Sequence, residues 1–175
     1  MRDFGFDLND TDDEFEQLAV DEPKSTVGMA RKGPSLKARA IDFLSRREHS
    51  RLELRRKLQR HCDDITEIDA LLDTLQKENW QSEERYAQSL INRRAHKFGT
   101  ARVVQELRQN GVADSHIEVV REQLQDSEFE RALEVWERKF GAAPEDRKAY
   151  AKQYRFMASR GFSSKQLRRI LDSQE

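Results

Sequence analysis

A helix-turn-helix pattern that occurs three times constrains this chain more than any other feature of its sequence. In each occurrence an apolar pair lies near the end of one helix, a turn residue follows, and two apolar residues spaced by four lie in the next helix. Such a unit cannot bury its apolar face alone, so neighbouring units are expected to stack. The three corners, which we take as equivalent, are Phe43-Leu44, Ser50, Leu54 and Leu58; Leu90-Ile91, Gly99, Val103 and Leu107; and Phe156-Met157, Ser163, Leu167 and Leu171.

The spacing of apolar residues predicts nine helices and no strand. Apolar side chains recur at helical intervals from Ser35 onward, and the breaks between them are short enough for tight turns. Gly and Pro occupy only ten positions, which leaves few turn residues for a β-protein. Helices are predicted at residues 35 to 47, 50 to 61, 64 to 78, 82 to 96, 100 to 110, 114 to 125, 127 to 140, 145 to 160 and 163 to 173.

These helices group into three units, so we predict an all-α fold of tandem three-helix repeats that form an elongated, curved array. An acidic segment precedes the array: residues 1 to 22 hold nine acids and one Arg, whereas the formal net charge of the chain is only -1. This segment is expected to be mostly disordered and to act as a solubilising tail, or to dock reversibly on the basic body. The predicted divisions are a leader at 1 to 34 and repeats at 35 to 80, 81 to 126 and 127 to 175.

Local signals at the corners predict caps and packing positions. Ser50 with Glu53, and Ser163 with Gln166, fit capping boxes at helix starts. The rings before the corners, His49, Phe98 and Phe162, fit hydrophobic staples, with a platform for base stacking or partner contact as the alternative.

Outside the corners, the two Trp residues, Trp80 and Trp136, are expected in the core or between repeats. Three Gly residues are expected to end helices in left-handed conformations: Gly111, Gly141 and Gly161.

Catalytic and metal-binding signatures are absent from the sequence. The seven Gly residues stand alone, which excludes a Gly-rich phosphate loop, and no His-Glu-x-x-His pattern occurs. Asp63-Asp64 is better placed to cap a helix than to bind a metal, and the single Cys62 cannot form an internal disulfide. We therefore predict no enzyme activity, metal or cofactor. The lack of a secretory signal and of a long apolar run predicts a cytoplasmic protein without membrane contact.

Four segments, in order over residues 36 to 172, together form a recognisable pattern. The first is Ala40-Ile41-Asp42-Phe43-Leu44-Ser45-Arg46-Arg47-Glu48-His49-Ser50, which continues to Glu53-Leu54 and Lys57-Leu58. The others are Trp80-Gln81-Ser82-Glu83-Glu84-Arg85-Tyr86-Ala87; Phe98-Gly99 with Glu106-Leu107 and Gly111-Val112; and Arg160-Gly161-Phe162-Ser163. These segments resemble, in the right order, the opening repeat, the second-repeat entry, the middle and the C-terminal signature of the RecX family. Ser82 departs from the pattern, because the family commonly has Asp there.

The resemblance implies three tandem three-helix repeats and a non-catalytic regulator of RecA recombinase. Such a protein binds along the groove of the RecA nucleoprotein filament and mostly inhibits strand exchange, ATP hydrolysis and coprotease activity, within DNA repair and the SOS response. A monomer is expected. Two alternatives remain open: a helix-turn-helix transcription factor, and a helical-repeat scaffold for another protein.

Basic residues near the corners are the candidate partner-binding residues. On a helix, Arg51, Arg55 and Arg56 lie near one side, where they could meet carboxylates or phosphates. A solvated face balanced by nearby Glu residues is the alternative for any single Arg. Clustered cations also allow weak, non-specific and salt-dependent DNA contact. The candidate residues are Arg46, Arg47, Arg51, Arg55, Arg56, Arg93, Arg94, Lys97, Arg160, Lys165, Arg168 and Arg169, with Arg168 and Arg169 taken as equivalent to Arg55 and Arg56.

Overall fold

The computed structural model describes residues 33 to 174, and this part of the chain folds into nine α-helices without a strand. All nine predicted helices are present. Apart from its last two positions, the predicted leader lies outside the described residues. The helices are α1 (Leu36–Arg46), α2 (Arg51–Leu58), α3 (Ile65–Lys77), α4 (Glu83–Arg94), α5 (Thr100–Gln109), α6 (Asp114–Gln125), α7 (Glu128–Lys139), α8 (Arg147–Ser159) and α9 (Ser164–Asp172).

Each group of three consecutive helices encloses an apolar core of its own, which confirms the all-α fold of tandem three-helix repeats. We call α1 to α3, α4 to α6 and α7 to α9 the first, second and third repeats. Their buried residues recur at the helical spacing that the sequence predicts. The cores include Ala40, Leu54, Leu58, Ile68, Leu72 and Leu75 in the first; Tyr86, Leu90, Ile91, Val103, Leu107, Ile117 and Leu124 in the second; and Ala132, Trp136, Met157, Phe162, Leu167 and Ile170 in the third.

Side-chain caps begin most of the helices, and half of each predicted capping box is present. The Ser50 hydroxyl accepts a hydrogen bond from the Glu53 amide at 3.1 Å, and the Ser163 hydroxyl accepts one from the Gln166 amide at 3.4 Å. The Glu53 carboxylate does not complete its box in the predicted way, because it accepts a hydrogen bond from Arg47 Nη1 at 3.0 Å. Each Ser still satisfies one amide that the first turn of a helix leaves without a partner.

The predictions for Asp64, Trp136 and three Gly residues are confirmed, and the prediction for Trp80 is not. The Asp64 carboxylate caps α3 by accepting from the Thr66 amide at 2.8 Å, and the Trp136 side chain is fully buried. The prediction for Trp80 is wrong, because 49% of this residue is exposed in the turn between α3 and α4. There its backbone makes the contact, with the carbonyl accepting from Arg85 at 2.9 Å. Three Gly residues have left-handed φ values as predicted: Gly111 (74°), Gly141 (65°) and Gly161 (84°).

The predicted equivalence of the third corner with the first two is wrong. The corners at Ser50 and Gly99 join the first and second helices of their repeats, whereas the corner at Ser163 joins α8 to α9, the second and third helices. A serine cap followed by apolar residues is common to many helix starts, so this similarity does not define a position within a repeat. Arg168 and Arg169 in α9 are therefore not equivalent to Arg55 and Arg56 in α2.

The true counterpart of the α8–α9 turn is the α5–α6 turn. In both, a left-handed Gly follows the helix and the next amide donates back to the last core residue: Val112 N to Leu107 O at 3.1 Å, and Phe162 N to Met157 O at 3.0 Å. A core residue follows five positions after that acceptor, at Val112 and Phe162, and the first core residue of the next helix follows ten positions after it, at Ile117 and Leu167. This bond pattern is typical of a Schellman ending.

Consecutive repeats are joined by a carboxylate at the start of one repeat, which binds the first backbone amide of the second helix in the repeat before it. Glu83, the first residue of α4, accepts from the Arg51 amide of α2 at 2.7 Å. Glu128, the first residue of α7, accepts from the Thr100 amide of α5 at 3.0 Å. Helix N-termini favour negative charge and present amides without helical partners. The same contact therefore joins the first repeat to the second and the second to the third.

Arg131 reinforces the second of these junctions. Its guanidinium comes from α7 in the third repeat and reaches three backbone carbonyls of the second repeat. Burial lowers the pKa of Arg131, and the nearby carboxylates of Glu128 and Glu130 oppose that shift. The guanidinium donates to Phe98 O at 2.9 Å, Leu124 O at 2.8 Å, Ala95 O at 3.2 Å, Ser127 Oγ at 3.2 Å and Thr100 Oγ1 at 3.3 Å.

None of the described helices has the length and apolar content needed to cross a membrane.

Close backbone approach at the second junction makes Gly99→Ala a sharp test of repeat stacking. The Gly99 amide donates to Arg160 O at 2.8 Å, and an added Cβ would collide with the backbone carbonyl of Gly161. We expect Gly99→Ala to lower the free energy of unfolding by about 1 to 3 kcal/mol, as overpacking of a tight contact does. Urea unfolding is the measurement, and Gly33→Ala, at an exposed position before α1, is the control. Equal stability of the two variants would contradict this packing.

Candidate partner interface

The basic residues of the first repeat are largely bound to acids of the same repeat. Arg51 pairs with Asp73 at 2.7 Å and Arg55 pairs with Asp69 at 2.8 Å, so both side chains of α2 reach across to α3. Of the predicted stripe, Arg56 is the member that is exposed. Two further candidates are also paired: Arg46 with Asp42 at 2.9 Å and Arg47 with Glu53 at 3.0 Å.

A different set of cations meets aromatic rings between the second and third repeats. We call Arg94, Phe98, Arg160, Phe156 and Lys139 the cation–aromatic ladder, because cations and rings alternate along it. The Arg160 guanidinium carbon lies 5.3 Å from the Phe98 centroid and 5.1 Å from that of Phe156. Arg94 lies 6.0 Å from Phe98, and Lys139 lies 5.8 Å from Phe156. Contacts of this kind contribute about 0.5 to 1 kcal/mol each at exposed sites.

Helix ends explain why these cations collect at one place. Arg94 and Lys139 lie in the last turns of α4 and α7, and Arg160 follows α8 as its C-cap. Cations are favourable there because helix C-termini carry partial negative charge. Arg160 Nη1 also donates to the carbonyl of Lys97 at 3.5 Å.

The ladder is mainly positive, and further basic residues lie close to it in the sequence. Its described carboxylate partner is Glu106, whose Oε1 lies 3.3 Å from Arg94 Nε. Arg93 and Lys97 are exposed on either side of Arg94. Guanidinium groups held beside rings keep a fixed plane, which suits bidentate binding of carboxylate or phosphate. The structure thus brings together three of the predicted residues, Arg94, Lys97 and Arg160, and Arg93 is next to Arg94 in the sequence.

The predicted basic residues of α9 are exposed. Lys165 and Arg168 point away from the core of the third repeat, as their exposure shows. Arg169 lies over the Phe129 ring, with 3.8 Å between the guanidinium carbon and the ring centroid. This third group therefore differs from the first repeat, where acids hold the arginines.

The rings before the corners are packing residues in the structure. His49 and Phe162 are buried, and Phe98 is partly buried against the core of the second repeat. Neither buried ring offers a free face for stacking, and Phe98 has two guanidinium groups over it. The hydrophobic-packing interpretation therefore fits better than the base-stacking platform.

Burial lowers the pKa of His49, and the positive charge of Arg47 lowers it further. The backbone hydrogen bond to Arg47 and the charge of Glu53 oppose this shift, while Lys57 adds to it. His49 Nδ1 lies 2.9 Å from Arg47 O, and its Nε2 is buried without a hydrogen-bond partner among the described residues.

Three family models match the chain in order, and each covers one repeat. They describe the first, second and third three-helix domains of RecX and match residues 37 to 75, 82 to 120 and 126 to 171. The chain belongs to the RecX family. The RecX resemblance inferred from the four sequence segments is thereby confirmed.

Relatives and solved structures agree with the family models. The chain is similar to the regulatory protein RecX of Ralstonia nicotianae, with 51% identity over 83% of this chain and 91% of the relative. It is 45% identical to RecX of Herminiimonas arsenicoxydans, over 84% of this chain and 97% of the relative. A crystal structure of RecX from Lactobacillus salivarius superposes with a TM-score of 0.64 at 21% identity, over 79% of this chain and 93% of the other. Another crystal structure of regulatory protein RecX gives a TM-score of 0.67 at 23% identity, over 78% of this chain and 73% of the other.

Two members of the ladder were not predicted from the sequence: Phe156 as a cation partner, and Lys139. Arg160, which contacts the Phe156 ring, follows it by one helical turn, and that spacing was available in the sequence. The meeting of α4 and α7 at the ladder was not available, because Arg94 and Lys139 come together only when two repeats stack. The sequence does show that both are basic residues in the last turn of a first helix, and this shared position is the signal that could have singled out Lys139.

The buried His49 predicts a pH-dependent loss of stability. Because its pKa is lowered in the folded chain, the unfolded chain binds more protons below about pH 6.5, and stability falls as the pH decreases through that value. His49→Phe, which installs the ring type found at the equivalent Phe98, should make the free energy of unfolding depend less on pH between about 7 and 5. Urea unfolding at several pH values measures this. His96→Phe, at an exposed position, is the control and should retain the wild-type slope.

Proposed function

We propose that this chain binds the RecA nucleoprotein filament and inhibits its recombinase, ATPase and coprotease activities, as a non-catalytic monomer of the cytoplasm. Membership of the RecX family and relatives named regulatory protein RecX support a regulatory role. In this proposal the protein acts in DNA repair and the SOS response. Its effect comes from binding alone, and it needs no cofactor.

The observation that carries this proposal is the cation–aromatic ladder. A filament presents the same surface many times along its length, so it suits a binder made of stacked units. The ladder lies where two repeats meet, with Arg93 and Lys97 beside it. Carboxylates of a protein or phosphates of bound DNA both match guanidinium groups that are already oriented.

The candidate cations differ in how freely their side chains can contact a partner. In the first repeat Arg51 and Arg55 hold α3, so a partner would meet them only through their remaining donors. Near the ladder, Arg94 pairs with Glu106 at 3.3 Å, whereas in the described part of the chain Arg93, Lys97 and the basic residues of α9 have no such ion pair. We therefore assign partner contact first to Arg93, Arg94, Lys97, Arg160, Lys165, Arg168 and Arg169, and second to Arg46, Arg47, Arg51, Arg55 and Arg56.

Direct contact with DNA phosphates is a weak, salt-dependent part of the same proposal. Reading of a specific duplex sequence is not supported, because the second helix of the first corner uses Arg51 and Arg55 to bind Asp73 and Asp69. A recognition helix needs free side chains that reach base edges.

A charge reversal beside the ladder tests the proposal. Arg93→Glu with Lys97→Glu should raise the concentration that half-inhibits the DNA-dependent ATPase of RecA by about tenfold or more, which corresponds to about 1.4 kcal/mol of binding. The measurement is ATP hydrolysis by RecA on single-stranded DNA with increasing amounts of the full chain. Both residues are exposed, so thermal unfolding should change little.

The matched control is Lys77→Glu with Arg121→Glu, which makes the same change of charge at exposed positions of α3 and α6. This control should inhibit like the wild type. Equal loss in both variants would show a general charge effect and no interface at the ladder. Failure of the wild-type chain to bind filaments more tightly than bare single-stranded DNA at physiological salt would sink the RecA assignment itself.

A further inference from the structure

The first turn of the second helix receives the next repeat in both junctions that the structure describes. In the first repeat the Arg51 amide binds Glu83, and the Glu53 carboxylate accepts from the Tyr86 hydroxyl at 3.4 Å. In the second repeat the Thr100 amide binds Glu128. The incoming segment in each case is an acidic helix start, in which Ser is followed by Glu. This face of a second helix is thus a docking surface for such segments.

The corresponding face in the third repeat belongs to α8. Because Met157 occupies the position of Leu107, residues 149 to 152 of α8 correspond to residues 99 to 102, where the second repeat receives the third. The helix α8 begins at Arg147, three residues before the position that corresponds to the start of α5, and the Asp146 carboxylate caps it by accepting from the Ala149 amide at 2.6 Å. The corresponding position therefore lies inside the helix and offers no free first amide. Side chains form this face, and no described helix covers it.

Basic side chains line this face, which we call the α8 face. Lys148, Lys152 and Arg155 recur at helical spacing, so they share one side of α8 and line a shallow groove with Asp146 and Ala149. Within residues 33 to 174 none of these three cations has a carboxylate within ion-pair distance. Arg147 adds a fourth positive charge to the helix, which contains no acid, and Tyr154 exposes 41% of its surface next to Arg155.

We infer that the α8 face is a second docking surface, which takes the acidic start of a helix from a protein partner. The two internal junctions show the chemistry: an equivalent face accepts a segment with Glu at its first helical position. The cations of α8 supply the charge complement in place of the helix amide. The residues of this face are not members of the ladder, although Phe156 of the ladder lies on the same helix. The inference therefore goes beyond the proposed function and does not depend on RecA.

Another copy of the chain fits this surface poorly. The start of α1, the first helix of the first repeat, has Lys37 and Arg39 and no acid in its first turn. Stacking it on the α8 face would bring cations against cations, which costs free energy. The charge pattern thus favours a different, acidic partner over head-to-tail association of copies.

The test uses the chain's own docking sequence as the probe. A synthetic peptide with the sequence of residues 126 to 134, blocked at both ends, carries the acidic start of α7. Titrated into the isotopically labelled full chain, it should shift the backbone amide signals of residues 146 to 155. Lys148→Glu with Lys152→Glu should weaken this binding at least tenfold, because two attractions become repulsions.

Three controls decide between outcomes. The Lys77→Glu, Arg121→Glu variant, with the same change of charge, should bind the peptide like the wild type. A scrambled peptide of identical composition should bind at least several-fold more weakly, whereas equal binding would overturn the inference by reducing it to non-specific attraction. Stronger shifts of the same amides by a short single-stranded oligonucleotide would assign the face to nucleic acid and also overturn it. The ATPase assay of the α8 variant, expected to match the wild type, keeps this result separate from that of the proposed function.

Discussion

The stacking of repeats depends on one interaction, the bond between a carboxylate at the start of one repeat and the first amide of the second helix in the repeat before it. A short helix leaves its first amides without partners, and a neighbouring Glu supplies an acceptor and a matching charge. Glu83 and Glu128 do this in the two junctions. Since α2 and α5 are only 8 and 10 residues long, their ends are a large part of each helix. Tertiary contacts at those ends therefore stabilise helices that would be marginal alone.

This requirement divides the arginines between two tasks. Arg51, Arg55 and Arg131 bind acids or carbonyls inside the described fold, and their removal would disturb packing. Cations at helix C-termini, such as Arg94 and Arg160, stabilise the helix dipole while their outer donors stay available to a partner. The described cations therefore do not form a uniform stripe, because Arg51 and Arg55 are held by acids of their own repeat. In the function that we propose, the binding chemistry lies where the helix ends of two repeats meet.

The sequence predicted the helices and cores well because both follow local spacing, which single side chains such as Leu54 and Ile117 obey directly. It misplaced the third corner, because a Ser cap and a pair of leucines occur at any helix start. The Gly111 and Gly161 turns carried the correct register, since a left-handed residue and its bond pattern fix the end of a helix. The exposure of Trp80 and the meeting of Arg94 and Lys139 in one ladder could not be predicted, for a shared reason. Both depend on how separate repeats pack, and residue spacing within one helix contains no information about that.

The two junctions share the bond between a Glu carboxylate and a helix amide but differ in the contacts that surround it. At the second, backbone meets backbone at Gly99 and Gly161, and Arg131 satisfies three carbonyls. At the first, three buried polar atoms have no partner among the described residues: His49 Nε2, Gln81 Oε1 and Glu83 Oε2. Side-chain cross-links hold this junction, including Arg85 Nε to Glu48 Oε1 at 2.7 Å and the Tyr86 hydroxyl to the Glu53 carboxylate. The ladder lies at the second junction, where backbone bonds directly to backbone, so the fold itself positions its cations and rings. A surface that is positioned before a partner arrives loses less conformational entropy on binding, which is the advantage of preorganisation.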